Sequence, residues 1–285
     1  MNDQIRSWTE RIRAAAASGT ALCIRGGGSK DFYGRQPVGE ILATTEYSGI
    51  VSYEPSELVV TVRAGTRLAD LEAELAGRNQ MLAFEPPRFG ADSTVGGCVA
   101  AGLAGPRRAA VGGVRDFVLG ARIIDGRGEV QRFGGEVMKN VAGYDVSRVL
   151  AGSLGTLGLI VEVSLKVLPR PVAEATLRFE MDEAAALHQL NAWGGQPLPI
   201  SASAWRGGVL DLRLSGAAAA VEAAIARLGG EHVPAHVADA LWAGLRDQRD
   251  DFFSGDDVLW RLSMPSDALA AQLTGAQLVE WGGAQ

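Results

Sequence analysis

The sequence predicts an α+β protein, with a two-lobed first domain over residues 1–170 and a smaller ferredoxin-like α+β domain over 171–285. Three observations predict it. Glycine-rich segments at 25–31 and 93–158 each follow or interrupt apolar runs. A β-hairpin is legible inside the second of them. The pair Pro169 and Pro171 then stops an alternating strand, because proline lacks the donor that a ladder needs and restricts the residue before it.

The elements follow in order. Ile5, Trp8 and Ile12 recur at helical spacing, so residues 3 to about 17 should form an amphipathic helix packed on the first lobe. Strand-like runs at 21–25, 40–44, 50–53 and 58–62, punctuated by Gly49, Pro55 and Gly65, are expected to make one small sheet. Thr66 is placed to cap the next helix, which turns Leu68, Leu71 and Leu75 to one face and ends before Gly77. The first lobe thus occupies about 1–80 and the second about 81–170, opening near Met81. In the second, residues 120–124 and 129–133 flank Asp125-Gly126-Arg127-Gly128, a turn rich in residues that accept left-handed backbone. Residues 158–168 form its last strand. Beyond the prolines, 172–181, 202–214 and 258–264 read as strands and 217–228 as an alanine-rich helix, the pattern of a ferredoxin-like domain.

The glycine segments carry the chemistry. Ile24-Arg25-Gly26-Gly27-Gly28-Ser29-Lys30 delivers three glycines from a strand into a turn, where successive N–H groups can converge on one anion such as a pyrophosphate. Ser93-Thr94-Val95-Gly96-Gly97-Cys98-Val99-Ala100-Ala101-Gly102 has side chains small enough for a flat ligand to lie on the main chain. A tight turn explains either segment taken alone.

Composition narrows the classes. The 285 residues, 47% of them hydrophobic, suffice for two cores. With 27 basic and 33 acidic residues the net charge is −6, without a basic block, so no nucleic acid partner is expected. Cys23 and Cys98 make neither a disulfide framework nor a metal motif, and a reducing cytoplasm is expected. The first residues lack the order of a signal peptide, and the uncharged stretch 149–161 is too short to span a bilayer. Nicotinamide, ATP and serine-hydrolase motifs fail. Asp31 stands where GxGxxG needs its last glycine, no Gly-Lys pair exists, and Ser153 lacks the glycine two residues before it.

Val111-Gly112-Gly113-Val114-Arg115-Asp116-Phe117-Val118-Leu119-Gly120, Lys139-Asn140-Val141-Ala142-Gly143-Tyr144-Asp145 and Gly152-Ser153-Leu154-Gly155-Thr156-Leu157-Gly158 resemble the FAD-binding domain of the vanillyl-alcohol oxidase and p-cresol methylhydroxylase (PCMH) type, over roughly residues 21–171. Gly105-Pro106-Arg107-Arg108, Phe133-Gly134-Gly135-Glu136-Val137-Met138-Lys139-Asn140 and Leu259-Trp260-Arg261-Leu262-Ser263 are similar to the E subunits of glycolate oxidases, which extends the likeness over almost the whole chain. That resemblance implies a two-lobed PCMH-type FAD domain followed by a partial ferredoxin-like cap over the isoalloxazine; since the resembled subunits usually continue past this point, a shortened protein and a piece of a longer one are both open.

By matching position, Gly26, Gly27, Gly28, Ser29 and Lys30 would surround the pyrophosphate, and Thr94, Gly96, Gly97, Gly102, Gly112 and Asp116 would contact flavin and phosphate. Gly158 and Ile160 would meet the adenine through their backbone. Asp116 has an alternative role, capping a turn, and Lys139, Tyr144 and Asp145 an alternative as a structural network. Covalent attachment in the superfamily uses histidine or cysteine where Ser29 and Lys30 stand, so dissociable, non-covalent FAD is implied.

Oxidising a 2-hydroxy acid also needs a cation for its carboxylate and a base for its hydroxyl proton. Arg206, Arg213 and Arg261 are candidates for the first, each with a structural alternative. His188, His232 and His236 make no metal or base cluster: Pro234 separates the last two and no carboxylate follows at ligand spacing. Leu154 stands where catalytic relatives commonly have glutamate. The catalytic residues are therefore left unassigned and no metal is expected. The resemblance implies the FAD-binding subunit of a complex oxidising glycolate or D-lactate to the 2-oxo acid. A catalytic flavoprotein subunit and an iron–sulfur subunit would be its partners, with location in the cytoplasm or at the inner membrane through them. An independent FAD-dependent oxidoreductase using Tyr144, and a flavin-free structural subunit, are the alternatives.

Overall fold

A computed structural model describes residues 3–135, 145–255, 257–268, 270 and 273–285. The chain forms two compact units, Met1–Leu103 with Gly113–Pro169, and Ala104–Gly112 with Arg170–Gln285.

In the first unit, α1 (Asp3–Ser18) buries Ile5, Trp8 and Ile12 against Leu42, Tyr47, Ile124, Leu159 and Val161. The Trp8 indole donates to the Ala43 carbonyl at 3.2 Å. Next come β1 (Leu22–Arg25), β2 (Glu40–Ala43), β3 (Ile50–Glu54) and β4 (Val59–Arg63). They are followed by α2 (Leu68–Gly77), β5 (Gln80–Met81) and α3 (Val95–Ala101); the next helix, α4 (Arg108–Val111), lies in the second unit. β6 (Val118–Ile124), β7 (Val130–Gly134), β8 (Leu159–Lys166) and β9 (Leu168–Pro169) complete the first unit.

Three expectations for this unit need correction. The strands up to residue 62 do not share one sheet: β1 and β2 form a parallel pair, and the main sheet runs β3-β4-β8-β6-β7, antiparallel throughout. β4, buried on both faces, is an inner strand, paired with β3 on one edge and with β8 on the other. Thr66 does not cap α2. Its hydroxyl donates to the Arg63 carbonyl at 2.7 Å and accepts from the Gly49 N–H at 2.9 Å, while Arg67 takes the cap position and pairs with Asp70 at 2.8 Å. Gly77 is the last residue of α2, with Arg78 following it. Leu68, Leu71 and Leu75 are fully buried as expected, worth about 1.5–3 kcal/mol apiece.

The second unit contains β10 (Ala173–Glu180), α5 (Glu183–Gly194), β11 (Ile200–Arg206), β12 (Val209–Gly216), α6 (Ala218–Leu228), β13 (Glu231–Val233), α7 (Ala235–Arg246) and β14 (Leu278–Glu280). Its sheet order, β13-β10-β12-β11-β14, is the ferredoxin-like βαββαβ arrangement with one strand added at the edge. Leu190 and Trp193 of α5 and Val221 of α6 pack on one face with Leu177, Leu210 and Leu212. Trp242 and Leu245 of α7 pack on the other with Ala202 and Ala204. Residues 258–264 are not a strand. β14 occupies the edge of β11, leaving this run no ladder, and Val258 and Trp260 are 77% and 79% exposed. Among the described residues no helix is long and apolar enough to cross a membrane.

Candidate functional site

The two glycine segments meet inside the first unit. A Cβ added to Gly26 would collide with the Thr94 side chain, and one on Gly27 with the Asp92 carbonyl, so only glycine lets these backbones touch. Gly28 has φ +71°, a left-handed turn that points the chain toward Ser29 and Lys30. The Lys30 ammonium donates to Ser93 Oγ at 2.8 Å and lies 5.6 Å from the Phe89 ring centroid. Asp31 pairs with Arg25 at 2.6 Å, and this hydrogen bond and charge hold the guanidinium above its ordinary pKa. Among the described residues, none accepts a hydrogen bond from the main-chain N–H of Gly26, Gly27, Gly28 or Ser29. These donors are available to an anion.

The glycines of the second segment spend their donors internally. Thr94 caps α3 by accepting from the Gly97 N–H at 3.2 Å, and the Gly96 N–H goes to the Ala64 carbonyl at 2.8 Å. Gly102, at φ +66°, ends α3 with its N–H on the Cys98 carbonyl at 3.0 Å, and its missing Cβ lets Gly152 N approach. Cys98 is fully buried. Desolvation pushes its thiol up to about 12, so it is neither a nucleophile nor an attachment point for flavin near neutral pH.

The remaining residues singled out by sequence stand on other elements. Gly112 ends α4 in the second unit at φ +95°. Asp116 accepts from the Gly113 N–H at 2.8 Å, which is its turn-capping alternative. Gly158, at φ +142°, lets its backbone pass the Ile124 carbonyl, and Ile160 is buried in β8 opposite Ile123. Lys139 and Tyr144 lie outside the described residues; Asp145 pairs with Arg148 at 2.7 Å. Of the candidate arginines, Arg206 pairs with Asp250, and Arg213 is buried on Ser201 and the Trp242 ring. Arg261 lies against Trp281. His188, His232 and His236 are exposed, and no three metal-ligating side chains gather among the described residues.

Sequence reading missed an apolar surface beside the loop. Ile24, Phe32, Tyr33, Leu154 and Leu157 are 36%, 64%, 40%, 50% and 48% exposed. A Cβ on Gly155 would stand 3.5 Å from Ile24, and one on Gly34 3.4 Å from Leu154, so the 152–158 loop lies beside β1 and beside the turn after the glycines. Two aromatics directly after a glycine run were the available signal. A cleft of about 730 Å³ opens against Gly26, Gly27 and Thr94 and is lined further on by Asp70, Glu74 and Asp92 with Arg67. Its carboxylates disfavour a diphosphate, whereas the free N–H groups, Lys30 and the exposed apolar surface suit a diphosphate joined to flat rings.

Comparison with known proteins agrees with this chemistry. Residues 5–134 match the FAD binding domain family. The chain is 49% identical over 282 residues to the glycolate oxidase subunit GlcE of Escherichia coli (strain K12), covering 99% of this chain and 79% of that protein. It is 32% identical over 171 residues to the glycolate oxidase subunit GlcD of Bacillus subtilis (strain 168), 59% of this chain and 35% of that protein. A D-lactate dehydrogenase of Anaerostipes hadrus is 33% identical over 139 residues, 49% of this chain and 29% of that protein. A solved alkyldihydroxyacetonephosphate synthase shares the fold, with TM-score 0.64 and 16% identity over 86% of this chain and 53% of that one. The chain belongs to the glycolate oxidase subunit GlcE family, within the FAD-dependent oxidoreductases, and its cofactor is FAD.

Proposed function

We propose that this chain is the FAD-binding subunit of a complex that oxidises glycolate or D-lactate to the 2-oxo acid. The observation that carries the proposal is the loop whose N–H groups have no acceptor among the described residues, beside Lys30 and an exposed apolar surface, in a GlcE-family chain. When bound, FAD supplies the two-electron acceptor. The chain's own residues bind and orient it. Gly26, Gly27, Gly28 and Ser29 donate to the pyrophosphate, and Lys30 offsets its charge. Thr94, Gly96, Gly97 and Gly102 provide a surface without side-chain bulk, while Asp116, Gly158 and Ile160 of the same unit shape the backbone around the rest of the cofactor. Ile24, Phe32, Tyr33, Leu154 and Leu157 cover the rings and exclude water.

The FAD is non-covalent, since no histidine or cysteine stands at the loop and the Cys98 thiol is held neutral. A second flavoprotein subunit with its own base, and an iron–sulfur subunit, complete the complex, which works in the cytoplasm or at the inner membrane through those partners. The test is the anaerobic visible spectrum of the purified chain with FAD, then with glycolate. Flavin bands at about 370 and 450 nm that persist with glycolate, and bleach once the partner subunits are added, are expected. Bleaching by glycolate alone would overturn dependence on partners, and failure to take up FAD would overturn the site.

A further inference from the structure

The first glycine segment and the residues that lead into Ser93 lie side by side and run in opposite directions. Within the first unit, a Cβ on Gly26 would meet the Thr94 side chain, one on Gly27 the Asp92 carbonyl, and one on Gly90 would stand 3.6 Å from Ser29 Cβ. Aromatic rings close the far end of this track. Phe32 and Phe89 form a T-shaped pair with centroids 5.1 Å apart and planes at 89°, and the Lys30 ammonium stands 5.6 Å from the Phe89 centroid while donating to the Arg88 carbonyl at 3.5 Å.

The segment that carries Phe89 is held at a conformational cost. Glu85 and Phe89 have φ +47° and +52°, left-handed values that a bulky side chain avoids, and Gly90 follows at φ +154°. Strained backbone of this kind persists where its surroundings over-determine it, and around Phe89 those surroundings include the ring of Phe32 and the charge of Lys30. Both come from the first glycine segment and the turn that follows it. Phe32 itself is 64% exposed. An exposed aromatic side chain alone is ordinary; what sets Phe32 apart is that a strained residue fixes it in place beside the anion-binding donors. A ring fixed through one contact and otherwise bare offers its surface to another flat ring. A diphosphate on the N–H groups of Gly26 to Ser29 sends one of its substituents toward Phe32, and the bare main chain from Ser93 to Gly102, directly after the Phe89 segment, admits the wider of the two ring systems of FAD.

We propose that Phe32 packs on the isoalloxazine of bound FAD, and that Phe89 is the positioning residue that holds Phe32 for it. The proposal rests on the assignment of the glycine loop to the FAD diphosphate, and adds where the flavin ring leaves that loop.

The test is titration of the full chain with FAD, followed by flavin fluorescence, and displacement of that FAD by ADP, which carries the diphosphate and the adenine without the flavin. Phe32→Leu, Phe89→Leu and Phe89→Tyr are compared with the parent, and Phe252→Leu, in the T-shaped pair with Phe253 of the second unit, is the control. Far-UV circular dichroism verifies folding. Phe32→Leu and Phe89→Leu are expected to weaken FAD about tenfold and to leave the affinity for ADP unchanged. The visible circular dichroism of the bound flavin should change in both leucine variants and return in Phe89→Tyr, which restores the ring. A general loss of structure would not single out the flavin half of the cofactor in this way. Parental FAD affinity in folded Phe32→Leu or Phe89→Leu would overturn the proposal, and so would a parallel loss of ADP, which would put the rings at the adenine. Failure of the parent itself to take up FAD would overturn the cofactor assignment, and the proposal with it.

Discussion

The two glycine segments look alike in sequence and do opposite things. The first keeps its main-chain donors unspent, with Gly26 and Gly27 pressed onto Asp92 and Thr94 so that the loop is fixed while its N–H groups stay available. The second commits its donors to the chain, capping and closing α3, and uses glycine to bring Ala64 and Gly152 within reach. Glycine is required in both because a Cβ would collide, but among the described residues the N–H groups of Gly26, Gly27, Gly28 and Ser29 in the first have no acceptor, whereas Gly96, Gly97 and Gly102 of the second give theirs to the chain. A glycine run therefore becomes a site when its donors have nowhere else to go.

Substitutions can break this contrast. The largest effect is expected from Gly27→Ala, whose methyl group displaces the loop from the Asp92 carbonyl and misaligns its donors together. Charge-assisted hydrogen bonds are worth about 1.5–3 kcal/mol each, so FAD affinity should fall roughly hundredfold or more in a flavin titration. Gly96→Ala should act on stability instead. Its Cβ would stand 2.6 Å from Ala64 Cβ, an overpacking cost of about 1–3 kcal/mol that thermal melting of the flavin-free chain would detect. Lys30→Gln removes one charge from the first segment and should weaken FAD about tenfold, with the loss shrinking at high salt. Thr94→Ala removes the α3 cap and should cost about 1 kcal/mol in the same melt.

The smallest effect concerns Cys98. Because burial raises its pKa, the neutral thiol favours the folded state. That contribution is fully present below the ordinary thiol range and is lost only as pH rises toward about 12. Alkylation by iodoacetamide should accordingly modify Cys23 and leave Cys98 unmodified across pH 7 to 9 in the native protein. Both should react in denaturant.

Much of this was legible beforehand, for physical reasons that differ by region. The α1 face and the hairpin around Asp125 follow from periodicity and turn residues, which are local; the ferredoxin-like reading caught β10 and α6 but took the β11–β12 hairpin for one strand over 202–214 and left α5 and α7 unread. The division of the first four strands between two sheets was not legible, because it depends on β8, about 100 residues later, on the scale of a full domain. α3 was hidden by its glycines, although Thr94 before it and Gly102 after it are ordinary cap signals. Residues 258–264 carry a strand-like pattern without a partner, and alternation alone cannot report that an edge is taken. In the site, the glycine loop announced itself, whereas Ile24, Leu154 and Leu157 did not, since exposure of an apolar side chain is a tertiary property.

The excursion of residues 104–112 into the second unit means that the chain passes between the two units three times, after Leu103, Gly112 and Pro169. No single cut yields two whole modules. A gene fragment ending at Pro169 would strand α4 and Arg107 without Glu174 or Trp281, and one starting at Arg170 would leave Trp281 with neither the Gly105 carbonyl nor the Arg108 guanidinium. The two units are thereby bound to a shared inheritance, and recombination that exchanges one as a cassette would have to carry a nine-residue piece of the other.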